Sequence, residues 1–190
     1  GTDVLNGGTG ADQLSGGEGN DEITFDSADT LVDGGEGYDT GILQSVSGET
    51  VTVNLHDLNL ERVFSQSGND TLNASELQQA ANLQAGAGAD TLTGSQYNDL
   101  LRGDDGNDVL TGGLGSDQLQ GGQGNDTLYF DISDSLVDGG EGIDIGHLNA
   151  NNEQHISFDL TKASVEVLYS DTSGDLLTAF NHTQAVTIYA

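Results

Sequence analysis

From Ala85 to His147 the chain reads AGAGADTLT-GSQYNDLLR-GDDGNDVLT-GGLGSDQLQ-GGQGNDTLY-FDISDSLVD-GGEGIDIGH, seven units of nine residues. Gly7 to Ile42 adds GGTGADQLS-GGEGNDEIT-FDSADTLVD-GGEGYDTGI, four more units. SQSGNDTLN (Ser65–Asn73) is an isolated unit, and the opening GTDVLN is the tail of another. The template is G-G-x-G-x-D-x-U-x, with U a large aliphatic residue. A fixed nine-residue period marks a solenoid. A single glycine-rich GxGxD stretch is an ordinary turn, but a solvent loop has no reason to repeat an acid in strict register.

Each position has a physical task. The first six residues turn tightly and bring carbonyls toward an ion, which favours glycine. Position six is aspartate, whose short carboxylate reaches a cation held in its own loop. Positions seven to nine form a short strand whose middle residue points inward: Leu14, Ile23, Leu92, Leu101, Leu110, Leu119 and Leu128. Two units make one 18-residue turn of a right-handed parallel coil, so the expected fold is an all-β parallel β-roll or β-helix solenoid with ions between its turns. Roughly six to eight hard oxygen ligands select calcium over zinc or copper.

Composition agrees. With 3 basic and 32 acidic residues, the 190-residue chain carries a net charge of −29, which repels nucleic acid and anionic membranes. Leu, Ile, Val and Phe supply only about a quarter of the positions, a thin core for this length. Cysteine is absent, which excludes disulfides, thiol nucleophiles and thiolate metal sites. No apolar run approaches the ~20 residues of a membrane span, and no basic-then-apolar leader is present. An acidic, cysteine-free chain that needs calcium suits the outside of a cell.

The tandem nonapeptides resemble those of the RTX (repeats-in-toxin) family of secreted bacterial calcium-binding proteins. The resemblance implies a parallel β-roll in which carbonyls two and four and the Asp of one unit share an ion with carbonyls one and three and the Asp of the unit 18 residues later. On this chain it implies that Asp3 faces Gly16, Glu18 and Asp21. Gly17, Gly19 and Asp21 then face Gly34, Glu36 and Asp39. Gly86, Gly88 and Asp90 face Gly103, Asp105 and Asp108, and Asp99 faces Gly112, Leu114 and Asp117. Asp108 faces Gly121, Gln123 and Asp126. Gly122, Gly124 and Asp126 face Gly139, Glu141 and Asp144. Gly8, Gly10 and Asp12 meet the irregular unit whose sixth position is Thr30, with Asp29 one residue early. Asp117 meets Ser135 and Asp134 in the same way, so these two sites are expected to be missing or differently built. Asp39 stands at a stack end and serves one ion, whereas Asp108 and Asp126 serve two.

A longer period lies over the short one. Gly16–Leu43 matches Gly121–Leu148 at an offset of 105, and Val53–Ser65 matches Phe158–Ser170, with Glu61 against Glu166. The chain therefore divides into residues 1–84 and 85–190, two copies of one module in a continuous solenoid. Position eight is glycine at Gly41 and Gly146, where the aliphatic ladder stops and the backbone is free to leave the roll. Val51, Val53 and Leu55, like Ile156, Phe158 and Leu160, alternate with polar residues, which predicts longer strands and wider turns. Asp70 is placed to face Asp90 across Ala74–Gln84, and SELQQAANLQ also reads as one short helix capped by Ser75. In copy two TSGDLLT (residues 172–178) lacks the GxD spacing and predicts no calcium site.

Other signals are weak. Enzyme motifs are missing, so no catalysis is expected. His56, His147, His155 and His182 are scattered over the spacers. Arg102-Gly103-Asp104 is an integrin-type tripeptide that the repeat itself generates, and the sequons at Asn69, Asn73, Asn125 and Asn181 give thin support for glycosylation. Tyr38, Tyr97, Tyr129, Tyr169 and Tyr189 look too dispersed for a ligand platform. The favoured function is a calcium-stabilised structural module of an adhesin, surface layer or filament. The calcium-binding portion of a secreted protease, lipase or alginate epimerase comes second, and a free calcium buffer last. Gly1-Thr2-Asp3 enters inside a repeat and Ala190 aligns with Ala85, so head-to-tail self-association or neighbouring modules are the expected partners at the coil's ends.

Overall fold

The computed structural model describes residues 1–149, 157–159, 163–170, 176–178 and 187–189. The expected helix over SELQQAANLQ is absent: this stretch forms turns followed by a strand. The expectations for TSGDLLT, His155, Ile156, Leu160, Asn181 and His182 fall wholly or mostly outside the described residues.

Copy one runs β1 (Val4–Asn6), β2 (Gln13–Glu18), β3 (Glu22–Phe25), β4 (Leu31–Glu36), β5 (Thr40–Leu43), β6 (Thr52–Asn54), a helical turn α1 (Leu55–Leu58), β7 (Arg62–Ser65), β8 (Thr71–Asn73) and β9 (Asn82–Gln84). There follow β10 (Thr91–Thr93), β11 (Leu100–Asp105), β12 (Val109–Thr111), β13 (Gln118–Gln123), β14 (Thr127–Asp131), β15 (Leu136–Glu141) and β16 (Ile145–Asn149). The last are β17 (Ser157–Asp159), β18 (Ala163–Ser164), β19 (Val167–Ser170), β20 (Leu176–Thr178) and β21 (Thr187–Tyr189).

Among the described residues all of the strand pairs are parallel. One sheet has the order β1-β3-β5-β7-β9-β11-β13-β15-β18, and the facing one runs β21-β19-β16-β14-β12-β10-β8-β6. Two shorter sheets, β2-β4 and β17-β20, complete the set, and from β5 to β16 consecutive strands alternate between two walls of a solenoid of about eight turns, as the repeat requires. Where nonapeptides run on, partners lie 18 residues apart, as in Leu101↔Leu119 and Leu92↔Leu110. The spacers widen the turn: Gly41 pairs with Val63, Val63 with Leu83, and Val53 with Leu72. The same widened steps recur as Gly146↔Leu168, Leu168↔Ile188 and Phe158↔Leu177, so the 105-residue sequence period is also a structural one.

The walls enclose one file of side chains. Ile23, Leu83, Leu92, Leu101, Leu110, Leu119 and Leu128 are fully buried and Leu14 nearly so. Triplets such as Thr91-Leu92-Thr93 and Val109-Leu110-Thr111 suit this geometry, since β-branched residues fit the pleat while the central leucine fills the interior. Gly41 and Gly146 do not release the chain as expected. Both sit inside paired strands, and a side chain there would meet the rings of Phe25 and Phe130 at 2.9 and 3.0 Å. The glycine is needed because the phenylalanine fills its share of the core. Leu55 likewise departs from strand geometry: it is buried at the start of α1, which ends at Asn59 in the left-handed region, φ 49°. The spacer of copy one contains short strands rather than longer ones, β6 of three residues and β7 of four.

The module spans an odd number of half-turns. Ile23 of β3 lies in the first wall, whereas its counterpart Leu128 of β14 lies in the facing wall. Equivalent loops of the two copies consequently occupy opposite edges of the roll.

Candidate metal centre

Aspartates at position six line the two loop edges. Asp21, Asp39, Asp70, Asp90, Asp99, Asp108, Asp117, Asp126 and Asp144 are each at most 2% exposed. Burying an ionised carboxylate is costly unless a partner or cation compensates. Each takes one partner from the turn before it. Asp108 Oδ1 accepts the Asp90 N–H at 2.8 Å, Asp126 Oδ1 that of Asp108, and Asp144 Oδ1 that of Asp126. The pairs Asp3–Asp21, Asp21–Asp39, Asp70–Asp90 and Asp99–Asp117 are joined in the same way. Every regular pairing expected from the sequence is thus brought together.

The second oxygen separates the loops into kinds. Oδ2 of Asp21, Asp39, Asp90, Asp108, Asp117, Asp126 and Asp144 is buried with no hydrogen-bond partner. At Gly16, Gly34, Gly103, Gly121 and Gly139 this oxygen converges with a carbonyl of the next turn on the place a β-carbon would take. For Gly103 the atoms are Asp108 Oδ2 and Gly121 O, and for Gly121 they are Asp126 Oδ2 and Gly139 O. A side chain at position one would fill the space that these oxygens share. At position four the reason for glycine adds backbone conformation: Gly106 has φ 150°, and the Gly88 carbonyl oxygen of the preceding turn occupies the place a β-carbon would take.

Position three contributes backbone alone. The side chains of Glu18, Glu36, Asp105, Leu114, Gln123 and Glu141 are exposed. The carbonyls of Glu36, Asp105, Gln123 and Glu141 accept the N–H of Gly19, Gly88, Gly106 and Gly124, at 2.7 to 2.8 Å, and keep a second lone pair. Gly8, Gly10, Gly17, Gly86, Gly122 and Gly124 all take positive φ, as expected for positions two and four.

Four loops are built differently. Asp29 Oδ1 accepts the Asp12 N–H and its Oδ2 the Asp26 N–H; Asp134 does the same with Asp117 and Asp131. The irregular units thus use the early aspartate, not Thr30 or Ser135, and both of its oxygens are held by amides. Asp70 Oδ2 accepts the Ser45 hydroxyl at 2.8 Å and that of Ser65, the residue in the position-one slot. Asp99 Oδ2 accepts the Ser95 amide at 2.5 Å and its hydroxyl at 3.1 Å. Hydroxyl and amide donors meet these carboxylates where other loops leave the oxygen bare.

Several of the buried acids are held in a raised state. Burial pushes Asp108 and Asp117 up to about 7, and Asp90 and Asp144 up to about 6. Backbone hydrogen bonds oppose the shift, and neighbouring carboxylates add to it. Among the described residues no three His, Cys, Asp or Glu side chains converge, so a cation here must be held by paired carboxylates and carbonyls. Such an all-oxygen donor set, with bare buried carboxylate oxygens and a glycine-cleared space, fits calcium.

The sequence profile described as RTX calcium-binding nonapeptide repeat matches this chain in four copies, at residues 1–32, 84–119, 103–136 and 112–146. Together these matches span half of the chain. The chain belongs to the RTX family. No curated protein and no solved structure matches it. The RTX repeats make this a calcium-binding module.

Two features of this RTX chain were hidden in its sequence. Glu61 and Glu166 accept the amides of Asp39 and Asp144 at 2.7 and 2.8 Å, where an aspartate would be expected. Asp39 is therefore not left at a bare end. Asparagine at position five forms a second ladder, as Asn107 Oδ1 accepts the Asn125 N–H and Asn125 Oδ1 the Ile143 N–H. The recurring GND tripeptide was the available signal.

The tyrosines are less dispersed than the sequence suggests. Tyr129, His147 and Tyr169 stack on the outer wall, with ring centroids 4.5 and 5.0 Å apart, beside a groove of about 580 Å³. Burial holds His147 below the usual imidazole range. Arg102 and Asp104 of the integrin-type tripeptide are engaged across strands by Gln120 and Gln84.

Proposed function

We propose that this module is a calcium-dependent structural spacer in an extracellular bacterial protein, without catalysis of its own. The observation that carries the reading is the seamless passage from one copy to the next: β9, the last strand of copy one, pairs directly with β11 of copy two in the same wall. A continuous ladder transmits load between copies, whereas a tether between independent domains would not. Calcium supplies the positive charge that lets the buried aspartates remain ionised. Outside the cell, where modules of this kind bind at roughly 10⁻⁴–10⁻³ M, folding and calcium uptake become one event. Neighbouring modules of the same repeat are the expected partners, and no described helix is long and apolar enough to cross a membrane.

Single-molecule pulling tests the reading. The chain should resist extension in millimolar calcium and extend without a force peak in EDTA. Equal, low resistance in both would speak against a structural role and favour the calcium-binding portion of a secreted enzyme.

A further inference from the structure

Beyond the last nonapeptide of each stack the sequence offers no RTX aspartate, yet the geometry of the site continues. Asp39 and Asp144 are fully buried, and each Oδ2 has no hydrogen-bond partner. Asp39 Oδ2 converges with Asn59 O on the space beside Gly34, and Asp144 Oδ2 with Ser164 O beside Gly139. In the preceding turn the same space is framed by Asp21 Oδ2 with Gly34 O beside Gly16, and by Asp126 Oδ2 with Gly139 O beside Gly121. The amide of Asp39 goes to Glu61 Oε2 as that of Asp21 goes to Asp39 Oδ1, and the Gln79 side chain also donates to the Glu61 carboxylate.

We propose that Glu61 and Glu166 each complete a calcium site on the spacer turn that closes a nonapeptide stack, with Asp39 and Asn59 O, or Asp144 and Ser164 O, as its other ligands. The longer side chain has a physical reason. These turns step 22 residues instead of 18, from Gly41 to Val63 and from Gly146 to Leu168, and the chain re-enters by a different path. In copy one that path is α1, whose left-handed Asn59 immediately precedes Leu60 and Glu61. One extra methylene restores the carboxylate to the place that the backbone has left. Two copies 105 residues apart arrive at the same arrangement, with an Asn carbonyl in one and a Ser carbonyl in the other. The ion would staple each non-repeat spacer to the roll.

This inference rests on calcium binding by the roll, and ion counting by native mass spectrometry at saturating calcium separates the two. Glu61→Gln and Glu166→Gln keep an oxygen to accept the amide but lose the charge. Each should bind one calcium fewer than wild type and the double variant two fewer, while Glu76→Gln on an exposed turn changes nothing. An unchanged count in both single variants overturns the proposal and reduces the glutamates to hydrogen-bond caps. A wild-type chain that takes up no calcium overturns the underlying reading instead. Should a Gln variant not fold, Glu61→Asp decides, since it keeps the charge but withdraws it: one ion bound about tenfold more weakly, about 1.4 kcal/mol, supports the site, and an unaltered titration overturns it.

Discussion

Replacing Asp108 by asparagine should have opposite effects with and without calcium. Asp108 is 1% exposed, its Oδ1 accepts the Asp90 amide, and its Oδ2 is bare. Burial, with Asp90, Asp126 and Asp104 nearby, raises its carboxyl from an ordinary 3.8 to about 7. At 1.36 kcal/mol per pH unit, the ionised form costs the calcium-free roll about 4 kcal/mol at pH 8. The asparagine side chain of Asp108→Asn keeps the Oδ1 hydrogen bond and carries no charge, but it buries an amide that needs partners. That offsets about half of the gain, leaving the calcium-free fold stabilised by about 2 kcal/mol. With calcium the balance reverses. Asp108 lies between Asp90 and Asp126, so on the pairing that the repeat implies two ions each lose a charged ligand. Removing one partner of a buried charge pair costs about 3–5 kcal/mol, which raises the calcium concentration needed for folding. Circular dichroism reads both effects, as a calcium titration at pH 8 and as an osmolyte titration in EDTA, where trimethylamine N-oxide drives the bare chain to fold. Equal destabilisation in both titrations would show that Asp108 is a structural cap and would refute the reasoning.

Other outcomes follow from the same loops. Gly121→Ala places a methyl group 2.8 Å from Asp126 Cγ and against the oxygens of Asp126 and Gly139, so it should abolish one ion and raise the calcium needed for folding; an unaltered ion count would contradict the glycine-cleared site. Ser65→Gly combined with Ser45→Ala frees Asp70 Oδ2 and restores glycine at position one, which should add one ion by native mass spectrometry. Acidity should act in opposite senses on the two states. Because Asp90, Asp108, Asp117 and Asp144 are raised in the folded chain, their contribution to calcium-free stability is present below the ordinary carboxylate range and disappears as pH rises through about 6 to 7. Bare chain should therefore gain strand signal on acidification in EDTA, while calcium affinity, measured calorimetrically, rises with pH across that window.

What the sequence disclosed and what it hid divide along one line. Features with the nine-residue period were readable, because each repeated a local requirement: an inward leucine, a glycine under a neighbouring carbonyl, an aspartate over an ion. Features that depend on how wide the spacer turns are were not. Glu61 was visible only as a match to Glu166, since nothing local says that a 22-residue turn returns it to an aspartate's place. His147 gave no sign that one 18-residue step and one 22-residue step would set it between Tyr129 and Tyr169. Ser65 reads as a degenerate glycine until its hydroxyl is seen against Asp70. The helix offered for SELQQAANLQ failed because the solenoid needs Leu83 at the next rung, and tertiary pairing overrides a weak local preference.

Because corresponding strands of the two copies sit in facing walls, a longer series of such copies obeys a twofold screw. Odd-numbered copies would turn their spacer to one flank and even-numbered copies to the other. Whatever one flank displays recurs there only at every second copy, at twice the chemical period. That alternation is written in the length of the repeat rather than in any one residue.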